Sequence, residues 1–122
     1  MITGAMRNLE GIIKLEVAGP GSQARKVEAL IDTGYNGYIT LPDDQVTVLQ
    51  LPFAGHRRAR LADGTVILLN MYQAEITWHG RQRNVLVSQA EGPSLIGMST
   101  LRGSRLVMDV VDGGDVTIDE LS

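Results

Sequence analysis

An alternation of apolar and polar side chains with a period of two residues constrains the fold of this chain most. Ile13, Leu15 and Val17 alternate with charged residues, and the same alternation recurs in residues 27–31. This period is typical of a β-strand, in which successive side chains point to opposite faces. Glycine-rich turn sequences separate many such runs, which favours a barrel or a sandwich. We therefore predict an all-β domain of about eight short strands.

Two short segments depart from the strand pattern. Residues 98–103 are long enough for a helix of about one and a half turns, with Gly103 placed to end it. A single helical turn is predicted within residues 43–51, because Pro42 and two aspartates resemble a helix N-terminus there. Between two β-prone runs, the pair Asp63-Gly64 predicts a hairpin with a type I′ turn.

The composition indicates one small globular domain. The 122 residues fit a single domain over 1–122, in which residues 1–8 are left without a structural role as a flexible or tag-derived segment. A net charge of −3 argues against a nucleic-acid partner, and the absence of cysteine is typical of a reducing compartment. No apolar run approaches the roughly 20 residues of a membrane span, so a cytoplasmic protein without a membrane partner is expected.

The apolar run Ala29–Ile31 leads directly into Asp32, Thr33 and Gly34. An ionised carboxylate is costly to desolvate, so an aspartate at the end of a buried strand needs a reason. Gly34 permits a close approach of backbone or ligand, and the Thr33 hydroxyl is able to anchor the turn. Two interpretations of Asp32 follow, namely a structural Asx-turn or one half of a catalytic carboxylate pair.

Three elements in a fixed order make the chain resemble the retropepsin-like aspartic proteases. The first is residues 29–34 with the β-prone residues 38–41, the second is the hairpin around Asp63-Gly64, and the third is Leu95-Ile96-Gly97 followed by a short helix. The resemblance implies an all-β closed barrel with one short C-terminal helix. The chain has one Asp-Thr-Gly and no second Asp-Thr-Gly or Asp-Ser-Gly. A two-aspartate site would therefore require a homodimer.

The resemblance also implies a role for each element. Asp32 is expected to be the shared acid and base, Thr33 to hydrogen-bond across the dimer, and Gly34 to offer its amide to the carboxylates. The residues expected to form a flap over an extended peptide or protein substrate are Leu61, Ala62, Asp63, Gly64 and Thr65. The residues expected to support the catalytic loop from beneath are Leu95, Ile96 and Gly97. The implied activity is that of an aspartic endopeptidase without metal or cofactor, acting at mildly acid pH on bonds flanked by apolar residues.

Two other functions stay open. One is a non-catalytic dimerisation or peptide-binding module on the same fold, because fold does not fix function. The other is a small β-barrel with an unrelated ligand, for which a monomer in solution is expected. Substitution of Asp32 separates the first alternative from the enzyme, since binding survives it and catalysis does not.

Other polar groups are interpreted as surface features. His56 and His79 lie beside glycines in predicted turns and are interpreted as surface histidines rather than a metal pair. The acidic residues of the C-terminal segment do not have the spacing of a calcium loop and indicate a solvated hairpin. The arginines at positions 57, 58 and 60 indicate a solvated strand edge rather than a phosphate site.

Overall fold

The computed structural model describes every residue from 1 to 122. It contains ten strands, where about eight were predicted, and two short helices. The all-β fold class and the short helix near the C-terminus are confirmed. The strands are β1 (Ile2–Arg7), β2 (Glu10–Ala18), β3 (Arg25–Ile31), β4 (Ile39–Leu41), β5 (Phe53–Arg60), β6 (Val66–Trp78), β7 (Arg81–Gln89), β8 (Ser94–Ile96), β9 (Ser104–Met108) and β10 (Asp115–Glu120). The helices are α1 (Asp43–Val48) and α2 (Met98–Leu101). No helix has the length and apolar character needed to cross a membrane.

Six of the strands close into a barrel, in the order β6-β7-β4-β8-β3-β2. The barrel closes because β2 pairs with β6, with Val17 opposite Ile76 and Ala18 opposite Glu75. Strand β6 has 13 residues, enough to pair with β7 and β2 and still extend to β5. Closure leaves few unpaired strand edges within the barrel. The predicted closed barrel is confirmed.

The core fills the barrel with the apolar residues that the alternation marks. Along β2, Ile13, Leu15 and Val17 are buried, while Lys14 and Glu16 are exposed. The most deeply buried large apolar side chains come from five of the barrel strands, from β10 and from the residue after α1: Ile13, Ile39, Leu41, Leu49, Ile76, Ile96, Ile118, Val17, Val87 and Val116. The period-two pattern therefore corresponds to the inward and outward faces of real strands.

The N-terminal segment differs from the expectation of a flexible or tag-derived piece. Residues 2–7 form β1, which pairs with β2 on one side and with β10 on the other. Met6 is 5% exposed and joins the main core, and its amide and carbonyl exchange hydrogen bonds with Gly114 and Gly113 at 2.9 and 3.0 Å. The segment is ordered because β2 and β10 would otherwise each leave an unpaired edge.

Removing the Met6 side chain is expected to destabilise the fold. Truncation of a buried methionine loses transfer free energy and leaves a cavity, so Met6→Ala should lower the free energy of unfolding by about 2–4 kcal/mol. Met1 is 80% exposed, so Met1→Ala serves as the matched control with no expected change. Urea denaturation of both variants measures the difference, and equal stabilities would show that β1 contributes nothing to the core.

The turn at Asp63-Gly64 differs from the predicted one, as a comparison with the His79-Gly80 turn shows. Between β6 and β7, His79 and Gly80 have φ values of 51° and 76°, as a type I′ turn requires. Between β5 and β6, only Gly64 has a positive φ, at 87°, and the Leu61 amide donates to the Thr65 carbonyl. The predicted type I′ turn at Asp63-Gly64 is therefore wrong. A three-residue loop forms instead, because the Asp63 carboxylate accepts from the Thr65 amide at 2.8 Å.

Candidate active site

The loop of residues 32–38 joins β3 to β4, and β8 lies between these two strands. β8 runs parallel to β3, with Ile96 opposite Ile31, and antiparallel to β4, with Ile96 opposite Ile39. The Asp32 amide donates to the Ile96 carbonyl at 2.9 Å. Both ends of the loop thus lie against the buried residue Ile96. The structure also brings Asp32 together with Ile96, as predicted.

The Asp32 carboxylate lies at the exposed end of this loop. The Gly34 amide donates to Asp32 Oδ1 at 2.9 Å, and the Tyr35 amide donates to the Asp32 carbonyl at 3.2 Å. Asp32 is partly buried, whereas Thr33 and Gly34 are exposed. Asp32 forms no ion pair, and the Thr33 hydroxyl makes no hydrogen bond within the chain. The local geometry therefore holds one oriented carboxylate at the surface, with the neighbouring hydroxyl free.

The segment that follows β8 supports the loop from beneath. Three successive amides donate to loop carbonyls, Gly97 to Tyr38 at 2.9 Å, Met98 to Tyr35 at 2.8 Å and Ser99 to Gly37 at 3.1 Å. The Ser99 hydroxyl also donates to the Asn36 carbonyl at 2.5 Å. The carbonyls of four consecutive loop residues, 35–38, thus accept hydrogen bonds from one short segment, which limits how far this part of the loop can move.

The Tyr35 side chain packs inside the loop rather than projecting into a cleft. Its ring lies against Gly37 and Gly97, where an added Cβ would come within 2.5 Å and 2.6 Å of ring atoms. Its hydroxyl donates to the Ile39 carbonyl at 3.3 Å and lies 3.1 Å from Ser88 Oγ. Burial raises the pKa of the Tyr35 phenol, which therefore stays neutral. The bulky residue after the Asp-Thr-Gly turn is accommodated because both contacting residues are glycines.

Arg83 of β7 holds helix α2, a contact that the sequence analysis missed. Its guanidinium donates to the carbonyls of Ser99 and Thr100, at 3.1 Å each, and lies 5.4 Å from the centre of the Tyr38 ring. A planar guanidinium makes both bonds at once because its donors form a fixed fork. No local signal in the sequence indicates this contact, since the partners are 16 and 17 residues apart.

Replacing Arg83 is expected to loosen the support of the loop. Arg83→Gln should lower the free energy of unfolding by about 2 kcal/mol, because two charge-assisted hydrogen bonds are lost. The amides of Met98 and Ser99 should exchange with solvent about tenfold faster. Arg83→Lys should recover part of the protection. Arg102→Gln should change neither quantity, because the Arg102 side chain is exposed and makes no hydrogen bond to α2. Unchanged amide exchange in Arg83→Gln would contradict the supporting role.

The predicted flap residues lie together at the tip of the β5–β6 hairpin. Leu61, Ala62, Asp63, Gly64 and Thr65 are all exposed. The Thr65 amide donates to the Asp63 carboxylate at 2.8 Å within this tip, and the hydrogen bonds from Thr65 lower the pKa of the Asp63 carboxyl. None of the five forms a hydrogen bond to residues 32–38. The structure thus leaves the tip free of the loop that carries Asp32.

Five surface cavities of the single chain lie away from Asp32. Five cavities have volumes of about 250 to 490 Å³, and none of the five is lined by residues 32–34. A ligand site usually buries most of its ligand in a concave pocket. None of these five cavities therefore encloses the Asp32 carboxylate.

Comparison with solved structures finds the same architecture elsewhere. The chain is similar to the crystal structure of a retropepsin-like aspartic protease from Rickettsia conorii, with a TM-score of 0.60 and 18% sequence identity. The match covers 99% of this chain and 89% of that chain. No family model and no curated protein matches the sequence. The fold of the chain is therefore retropepsin-like, as the sequence resemblance predicts.

Proposed function

We propose that the protein is a homodimeric aspartic endopeptidase. The observation that supports this most is the setting of Asp32 in a retropepsin-like fold: its carboxylate accepts from the Gly34 amide, and its own amide donates to the Ile96 carbonyl. A structural Asx-turn explains the bond to Gly34. It does not explain why four consecutive carbonyls of the same loop, those of residues 35–38, are also held by the segment after β8.

The proposed dimer follows from the chemistry of the reaction. Hydrolysis by paired carboxylates needs two aspartates, and each chain has one Asp-Thr-Gly. Two copies related by a two-fold axis bring two Asp32 side chains together, in the commonest symmetry of homo-oligomers. The exposed Thr33 hydroxyl, without a partner in its own chain, would then bond to the facing loop. The second copy would also supply the missing walls of the substrate site.

The mechanism assigns opposite roles to the two Asp32 side chains. Carboxylates about 3 Å apart cannot both be ionised, so the pair holds one proton and works at mildly acid pH. The ionised Asp32 takes a proton from a water molecule whose oxygen attacks the peptide carbonyl carbon. The protonated Asp32 gives its proton to the carbonyl oxygen, forming a tetrahedral diol. The first Asp32 then protonates the amide nitrogen, the C–N bond breaks, and a diol proton returns to the second Asp32.

The substrate in this proposal is an extended polypeptide. A strand-like peptide lies between the loop that carries Asp32 and the hairpin tip of residues 61–65. Backbone groups at the tip hydrogen-bond the peptide, and closure of the tip excludes water from the reacting bond. The absence of bonds between the tip and residues 32–38 supports a tip that is free to open and close.

Cleavage of a mixed peptide library between about pH 3 and pH 7 tests the proposal. Mass spectrometry identifies the products, and analytical ultracentrifugation measures the mass of the protein under the same conditions. Internal cleavage by a dimer, absent from the Asp32→Asn protein, would support the enzyme. Peptide binding by a dimer without cleavage would favour the binding module, and a monomer without either activity would favour an unrelated ligand.

A further inference from the structure

Strand β5 carries three arginines whose charges are not neutralised within the chain. Arg57, Arg58 and Arg60 are exposed, and the two ion pairs of the chain involve other residues. β5 is the end strand of the sheet and pairs only with β6. It forms one arm of the hairpin whose tip is the proposed flap. An unpaired guanidinium on this arm is available to a ligand.

The strand register distinguishes the arginines by the face they occupy. Arg57 lies opposite Leu69, and Arg58 lies opposite Leu68. The side chains of opposite residues in an antiparallel pair lie on the same face of the sheet, and successive side chains along one strand lie on alternate faces. Leu69 is partly buried, whereas Leu68 is 64% exposed. Arg57 is therefore on the face that looks towards the body of the domain, and Arg58 is on the face that looks towards solvent.

The inner face of the hairpin continues to the candidate active site. Met71, two residues beyond Leu69 on the same face of β6, is buried and lies opposite Ser88 of β7. Ser88 Oγ is 3.1 Å from the hydroxyl of Tyr35, which follows the Asp-Thr-Gly turn directly. Arg57 thus lies on the same face of the sheet as Ser88, and Ser88 contacts Tyr35 in the loop that carries Asp32.

The electrostatic effect of Arg57 on Tyr35 supports this placement. Burial raises the pKa of the Tyr35 phenol, while the positive charge of Arg57 acts in the opposite direction. A charge in solvent beyond the outer face would be largely screened from a partly buried phenol. The Arg57 guanidinium is therefore within electrostatic reach of the loop that carries Asp32.

We propose that Arg57 is a specificity-determining residue that pairs with an acidic side chain of the substrate. This inference rests on the proposed function and names its substrate class, namely extended polypeptides with Asp or Glu beside the apolar residues at the cleaved bond. A guanidinium binds a carboxylate through two parallel hydrogen bonds, which gives direction as well as attraction. In a two-fold dimer, one Arg57 lies on each side of the bond, so either flank can carry the acid.

Paired peptides test this inference with a control built into the same strand. Each pair is based on a peptide that the library experiment shows to be cleaved. Its two members differ only by Glu or Gln at one position beside the cleaved bond. The wild type should cleave the Glu peptide with about fivefold higher kcat/KM at low salt. Arg57→Gln should abolish the preference, and Arg57→Glu should reverse it towards a Lys peptide. Arg58→Gln, the neighbouring arginine on the outer face, should keep the full preference.

The outcomes separate this inference from the proposed function. Equal cleavage of Glu and Gln peptides by an Asp32-dependent wild type would overturn the inference and leave the endopeptidase intact. Equal loss of preference in Arg57→Gln and Arg58→Gln would also overturn it, since a diffuse positive field would then explain the selectivity.

If no peptide is cleaved, binding decides the question. Fluorescence anisotropy of labelled Glu and Gln peptides on the Asp32→Asn protein should show about fivefold tighter binding of the Glu peptide, which should weaken at about 0.5 M salt. Arg57→Gln in the same background should remove the difference. Absence of binding, or binding without discrimination, would contradict a role for Arg57 in recognition.

Discussion

Asp32→Asn is expected to lower kcat/KM by about 10³-fold or more, because the proposed dimer would lose its acid and its base together. Asparagine has the shape of aspartate, and its side-chain oxygen still accepts from the Gly34 amide, a bond of 2.9 Å in the wild type. It can neither take a proton from water nor share one with the facing chain. The variant should therefore fold and dimerise normally. Rates on a peptide from the library, with circular dichroism and sedimentation, measure all three properties.

Mixed dimers test whether two Asp32 carboxylates are needed. After equal amounts of wild-type and Asp32→Asn chains exchange subunits, random pairing leaves about half of the wild-type chains in intact dimers. The activity should then fall to about half of that given by the same amount of wild-type chain alone. If the mixture instead has the same activity as that amount of wild-type chain alone, the site is complete in one subunit and the proposed mechanism is contradicted.

Gly97→Ala is expected to destabilise the fold by about 3 kcal/mol and to displace the loop of residues 32–38. A Cβ at this position would lie 2.2 Å from the Gly37 carbonyl oxygen, 2.6 Å from the Tyr35 ring and 2.8 Å from the Tyr35 carbonyl oxygen. Two of these three atoms belong to the backbone, so no side-chain rotation relieves the contact. The loop must move away from β8, and the bond between the Gly97 amide and the Tyr38 carbonyl must weaken. Urea denaturation and cleavage rates measure the two effects.

Gly21→Ala provides a control for the loss of a glycine without a close contact. Gly21 has a φ of 68° in the turn between β2 and β3, and no atom lies within 4 Å of an added Cβ. Only backbone strain of about 1 kcal/mol is expected there, with cleavage unchanged. If Gly97→Ala were no more destabilising than Gly21→Ala, close packing beneath the loop would not be the reason for a glycine at position 97.

The sequence by itself determined the features that depend on neighbouring residues. The period-two pattern marks β2 and β3, because their side chains alternate between a packed interior and solvent. The run from Ala29 to Gly34 is a local signal for a carboxylate at a strand end, and residues 95–97 lie beside it as predicted. The short helices at both predicted sites also formed, since their turn residues and length are local properties.

Only the tertiary structure decided the features that depend on distant partners. The role of residues 2–7 depends on the free edges of β2 and β10, and the turn at Asp63-Gly64 depends on Leu61 pairing with Thr65. The hydrogen bonds of Arg83 to α2 cross from one strand to a later helix, so no local pattern contains them. Arg57 and Arg58 are equivalent in sequence, and register alone assigns them to opposite faces. A register is fixed by long-range pairing, and a shift of one residue would exchange the two arginines between the candidate site and solvent.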